Sequence, residues 1–181
     1  MFTTKITLTV LSLLVSHIVL TAQPIRFAVR VGGGSIVEDS HIGFSAAVDI
    51  KPSKVPIAIS PFVETFSGDD LSRRYLGLNL LITNSLAKSG FYVGGGIGST
   101  RWSFAGFSRT ASVFNILAGG RFLFGQRIGG FVEGKFIVNS KTDSDTDLFN
   151  QSSRNGFRDP VPAFLFDNDL VANAGIFFKL F

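Results

Sequence analysis

The stretch that decides the fold is Leu170-Val-Ala-Asn-Ala-Gly-Ile-Phe-Phe-Lys-Leu-Phe181. Side chains of a strand point alternately to its two faces. Leu170, Ala172, Ala174, Ile176, Phe178 and Leu180 therefore share one face, and Asn173, Gly175, Phe177 and Lys179 share the other. In water, a strand with one uncovered apolar face is an aggregation hazard. In a transmembrane β-barrel, lipid covers that face and neighbouring strands pair both edges. Phe178, Leu180 and Phe181 form the C-terminal strand signal. The apolar row ends at Leu180, while Phe181 has the parity of Lys179.

Working back along the chain, the same alternation predicts seven more strands with turn residues between them. They cover Ile25–Ile36, Ile42–Lys51, Pro56–Phe66, Ser72–Thr83, Phe91–Phe104, Ala111–Phe124 and Ile128–Asn139. In the fourth, Leu76, Leu78, Leu80 and Ile82 stand against Arg73, Tyr75, Gly77 and Asn79. Pro61 sits awkwardly in the third because it cannot donate to a ladder. The run Gly94-Gly-Gly-Ile-Gly98 leaves the facing of the fifth undefined. An even number of strands lets an antiparallel barrel close with both termini on one side. The expected fold class is all-β: a closed antiparallel eight-stranded up-and-down transmembrane β-barrel, preceded by a signal peptide. Short connections at 51–55, 84–90 and 125–127 read as periplasmic turns. Those at 37–41, 67–71, 105–110 and the long loop at 140–163 read as extracellular, which places the chain in the outer membrane with periplasmic termini.

The other end of the sequence agrees with that compartment. Met1–Ala22 has Lys5, then an apolar run from Ile6 to Leu20, then the small pair Thr21-Ala22. This is the layout of a secretory signal, with cleavage expected after Ala22. The run is shorter and richer in hydroxyls than the roughly 20 residues of a helical span. Residues 23–181 are then one domain, the barrel. With no cysteine there is neither disulfide nor thiolate chemistry. The net charge of +4 is not gathered into a basic stripe, which argues against nucleic acid. Twenty phenylalanines suit a lipid-facing wall, and twenty glycines suit curved strands around a filled interior.

With these residues in view, the chain from Gln23 to Phe181 resembles the small eight-stranded OmpA/OmpX-type outer-membrane barrels, especially the barrel-only proteins of Bacteroidetes. The resemblance rests on the segment ending Thr-Ala-Gln, the strand count and the terminal Phe181. It implies outer-membrane lipid and the barrel-assembly machinery as partners. The sequence departs from that group in the parity of Phe181. It also has only Trp102, Tyr75 and Tyr92 besides phenylalanine, so an aromatic girdle has to be built from Phe.

Inward parity predicts a lumen charge network of Arg26, Arg30, Asp49, Glu64, Arg73, Arg121, Glu133, Lys135 and Lys179. Hairpin arithmetic sets Arg121 opposite Glu133, Glu64 opposite Arg73 and Asp49 near Arg26. Charges in so narrow an interior need opposite partners. The network therefore reads as a plug and, alternatively, as an ion path. The long loop offers a contact surface of Asp143, Asp145, Asp147, Phe149, Arg154, Phe157 and Arg158, suited to an extracellular protein or surface ligand. The spacing of its three aspartates imitates a calcium loop. An EF-hand needs glycine at its sixth position and glutamate at its twelfth, where this chain has Leu148 and Arg154, so no metal site is assigned. The glycine runs lack the offsets and the following helix of a dinucleotide fingerprint, and no cofactor is expected.

The leading functional expectation is a non-enzymatic barrel with a structural or adhesion-like role. A narrow channel through the same barrel is the alternative. Two further alternatives are a lipid-modifying enzyme using His41 with Asp69, Asp70 and Ser72, and a secreted lipocalin-like barrel holding an apolar ligand. The last would require the apolar set to face inward.

Overall fold

The computed structural model describes residues 24–38, 41–68, 71–83, 86, 89–104, 107–139 and 168–180. The expected signal at 1–22 and the long loop at 140–163 lie outside them. Eight strands run in chain order: β1 (Ile25–Ile36), β2 (His41–Pro52), β3 (Ile57–Ser67), β4 (Leu71–Thr83), β5 (Gly90–Phe104), β6 (Phe107–Leu123), β7 (Ile128–Asn139) and β8 (Asp169–Lys179). Each pairs antiparallel with the next, and β8 pairs back onto β1, closing the barrel. Closure leaves no unpaired edge, which answers the hazard posed by β8.

The predicted faces hold throughout. The residues assigned to the apolar row of β8 point outward, and those opposite them line the lumen. Outward side chains include Ile42 at 75 % exposure and Phe91 at 82 %, values that no water-facing wall of this extent would favour. The fifth strand, undefined by its glycines, is now assigned: Tyr92, Gly94, Gly96, Gly98, Thr100 and Trp102 face inward and Phe91, Val93 and Ile97 outward. Tyr75, Tyr92 and Trp102 are all buried, and phenylalanines such as Phe44, Phe91 and Phe124 stand exposed on the wall.

One expected connection is corrected. Residues 107–110 belong to β6 rather than to a loop, and Phe104 pairs with Phe107 across the hairpin. At 15 and 17 residues, β5 and β6 exceed the about 9–11 that span a bilayer, so this hairpin carries the sheet beyond the apolar belt. Pro61 has its place too. It faces outward, and the β2–β3 pairing is interrupted between Ala47↔Phe62 and Ile50↔Ile59, where a ladder donor is missing.

Glycine makes room where strands and side chains approach closely. Gly32 and Gly175 pair directly across the β1–β8 closure, and a Cβ on either would strike the backbone of the other strand. A Cβ on Gly119 would strike the ring and hydroxyl of Tyr92.

Candidate functional site

The candidate site is the charged lumen. Parity sends Arg30 inward from β1, Asp49 from β2, Glu64 from β3, Arg73 from β4, Arg121 from β6, Glu133 and Lys135 from β7 and Asp169 from β8. All of these are buried. An eight-stranded barrel is filled by its own side chains, so each charge must find a partner there.

Arg30 is the hub. Its Nε and Nη2 donate to Asp49 at 3.1 and 3.2 Å, and Nη2 also reaches Ser60 Oγ at 3.1 Å. Nη1 donates to Glu133 Oε2 at 2.5 Å and to Tyr92 Oη at 3.1 Å. Five donors in a rigid fork suit a guanidinium, and not an ammonium, to this position. From the other wall, Arg121 Nη2 donates to Asp49 Oδ2 at 2.7 Å, with its guanidinium 4.5 Å from the centroid of the Tyr92 ring. Tyr92 Oη in turn donates to Glu133 Oε2 at 2.9 Å.

Glu133 connects this hub to a second tier. Lys135 Nζ lies 3.6 Å from Glu133 Oε1 and donates to Glu64 Oε1 at 2.6 Å. Asn173 Nδ2 donates to the same oxygen at 2.9 Å. Above them an apolar layer includes Ile36, Phe66, Val113, Ile137 and Val171. Beyond it, Arg73 donates to Asp169, whose Oδ2 accepts from Tyr75 Oη at 2.5 Å and Asn139 Nδ2 at 3.4 Å. Layers of charge and hydrocarbon thus alternate along the bore.

These contacts tie strands that are not neighbours, three of them across the full width of the barrel. Arg30–Glu133 joins β1 to β7, Arg121–Asp49 joins β6 to β2, Lys135–Glu64 joins β7 to β3, and Arg73–Asp169 joins β4 to β8. Every described carboxylate in the bore is matched by a cation. The lumen is therefore cross-braced.

The expected partners are corrected. Arg121 pairs with Phe131 and not Glu133, Glu64 with Tyr75 and not Arg73, and Asp49 with Ala28 and not Arg26. Each expected register was two residues off, which preserves the face and changes the partner. At the β6–β7 turn the geometry is visible: Phe124 N bonds Ile128 O, so Phe124 faces Ile128 across residues 125–127, and three residues back along each strand Arg121 falls opposite Phe131. Arg26 and Lys179 face inward at the terminus-bearing mouth but do not join the network, and Arg26 pairs with Lys51.

Asp169, Tyr92 and Asn173 were not among the predicted network residues. Asp169 has the inward parity of Asn173, so extending β8 by one residue finds it. The contact-surface residues of the long loop and Phe181 lie outside the described residues, as do Asp69 and Asp70. Phe178 and Leu180 are exposed on the wall, as their parity predicted. His41 lies against Gly68 at the start of the β3–β4 connection. Among the described residues, no group of three or more His, Cys, Asp or Glu could hold a metal ion.

No family model and no curated protein matches the chain. Among solved structures it is similar to the N-terminal β-barrel domain of Pseudomonas aeruginosa OprF, at 10% identity over 87% of this chain and 98% of that one, with a TM-score of 0.57. It is also similar to Neisserial surface protein A, at 12% identity over 86% of this chain and 96% of that one, with a TM-score of 0.55. Both are small eight-stranded outer-membrane barrels of OmpA/OmpX type. At these identities the likeness is one of fold, and the chain has the closed antiparallel eight-stranded architecture of those barrels.

Proposed function

We propose that the chain is a non-enzymatic integral outer-membrane barrel, with both termini periplasmic and a structural or surface-contact role. The observation that carries this is the inversion of the usual soluble pattern. The wall is apolar, with Leu76, Ile97, Phe114 and Ile116 well exposed, and the bore holds interlocked charge. A lipocalin-like barrel would have those faces reversed. Lipid solvates the wall, and the braced bore leaves the rims and the long loop as the surfaces able to meet another molecule. The machinery that inserts barrels, and an extracellular protein or surface ligand at the long loop, are the partners this reading assigns.

The test is single-channel recording on the full chain refolded into planar bilayers. A bore braced by Arg30 and Lys135 should give no steady conductance. Steady conductance would overturn the plug and favour the second reading, a narrow channel. One observation supports that second reading: Asn79 and Asn115 face inward with both amide atoms lacking a hydrogen-bond partner among the described residues, a polar lining that water can solvate.

A further inference from the structure

On the outer wall, the described strand residues carry two charged side chains, Arg74 on β4 and Arg101 on β5. They are direct cross-strand partners and both are exposed. Like charges directly opposite each other are destabilising unless something of opposite sign lies between them. No acid pairs with either among the described residues. Arg101 Nη2 is oriented by Ser108 Oγ at 3.1 Å, across the β5–β6 hairpin.

The rows around this pair place it at a boundary. The arginines stand in a row reading Thr65, Arg74, Arg101 and Thr110 across β3 to β6. The row above reads Ser67, Ser72, Ser103 and Ser108. Below, the next row reads Val63, Leu76, Ser99 and Ser112, in which Leu76 is the first large apolar side chain on the outer face of β4, and the row after it, Pro61, Leu78, Ile97 and Phe114, is wholly apolar. From Arg74 to Leu76 is roughly 7 Å along the strand. At a tilt of about 35–45° this is about 5 Å of height. The polar layer on each side of a hydrocarbon core is roughly 5–8 Å deep. The guanidiniums therefore lie at headgroup depth.

We propose that Arg74 and Arg101 clamp the phosphate of an anionic lipid headgroup, with the surrounding hydroxyls completing the polar cradle and the acyl chains lying along Leu76, Leu78 and Ile97. Two guanidinium forks at one cross-strand spacing match the geometry of phosphate oxygens. This inference rests on the membrane-spanning reading of the barrel.

The test uses the full chain refolded in detergent and offered equal amounts of phosphatidylglycerol and a galactosyl diacylglycerol with the same acyl chains. Retained lipid is read by native mass spectrometry. The wild type should favour the phosphate lipid by roughly tenfold or more, as charge-assisted bonds from two arginines allow. Arg74→Gln with Arg101→Gln should bring the ratio near one, and Arg74→Lys with Arg101→Lys should leave it in between. Heat-dependent gel mobility shows that each variant is folded. Equal retention by the wild type, or an unchanged ratio in the glutamine variant, overturns the clamp. Displacement of the lipid by millimolar inorganic phosphate overturns a lipid site in favour of a free oxyanion site. Failure of the wild type to enter vesicles of either lipid tells instead against the membrane reading.

Discussion

The middle of the bore and its terminus-bearing mouth treat charge differently. In the middle, Arg30, Arg121 and Lys135 are each held by carboxylates from other strands. At the mouth, Arg26, Lys51 and Lys179 point inward with no acid beside them among the described residues. Lys51 Nζ reaches only its neighbour's carbonyl, Pro52 O, at 3.4 Å. Arg26 and Lys179 are half-buried, so their long stems can carry the charge toward water. Arg30 has no such route. Lys51 is buried yet meets no described acid, so pairing goes with position along the bore and not with side-chain burial alone.

The sharpest way to break this comparison is Arg30→Ala. It leaves Asp49 to Arg121 alone and Glu133 to Tyr92 and Lys135, with one buried negative charge uncompensated in the hub, and should cost about 3–5 kcal/mol. Denaturant titration of the refolded barrel, followed by gel mobility, reads the loss. Asp169→Asn removes the charge that Arg73 meets beyond the apolar layer. Because the amide keeps some hydrogen bonding, the expected loss is smaller, about 1.5–3 kcal/mol by the same titration. Gly119→Val drives a side chain into Tyr92, which both Arg30 and Arg121 touch, and should cost about 1–3 kcal/mol. Thermal loss of the compact band checks it, and an unchanged midpoint would mean Tyr92 has room to move. At the mouth, Arg26→Gln should shift stability by no more than about 0.5 kcal/mol. A loss as large as that of Arg30→Ala would show that the mouth is braced as tightly as the middle.

Faces were legible in the sequence because a strand has one period and β7 and β8 keep it without interruption. The network partners were not, for two physical reasons. Register depends on which residues flank a turn, and with Phe124 facing Ile128 across residues 125–127 Arg121 stands two residues from Glu133 without a change of face. Bracing across a bore also joins strands that are not neighbours. Arg30 and Glu133 are held together by closure of the whole barrel, which no hairpin rule contains. Tyr92 was hidden for a third reason: the glycines after it carry no side chain to reveal parity. Of the arginine pair on the wall, Arg74 was readable as outward from the alternation of β4, whereas the undefined facing of the fifth strand hid Arg101, and the β4–β5 register makes them neighbours.

The glycine pair at the closure has a consequence for the order of assembly. The β1–β8 ladder joins Ala28 to Lys179, a separation of 179 − 28 = 151 residues. Contacts so distant in sequence carry the largest loop-closure cost and form slowly. Gly32 and Gly175 meet within that ladder with no side chain on either. The joint with the largest closure cost thus includes a place where two backbones approach with no side chain between them, so its steric demand at that point is small.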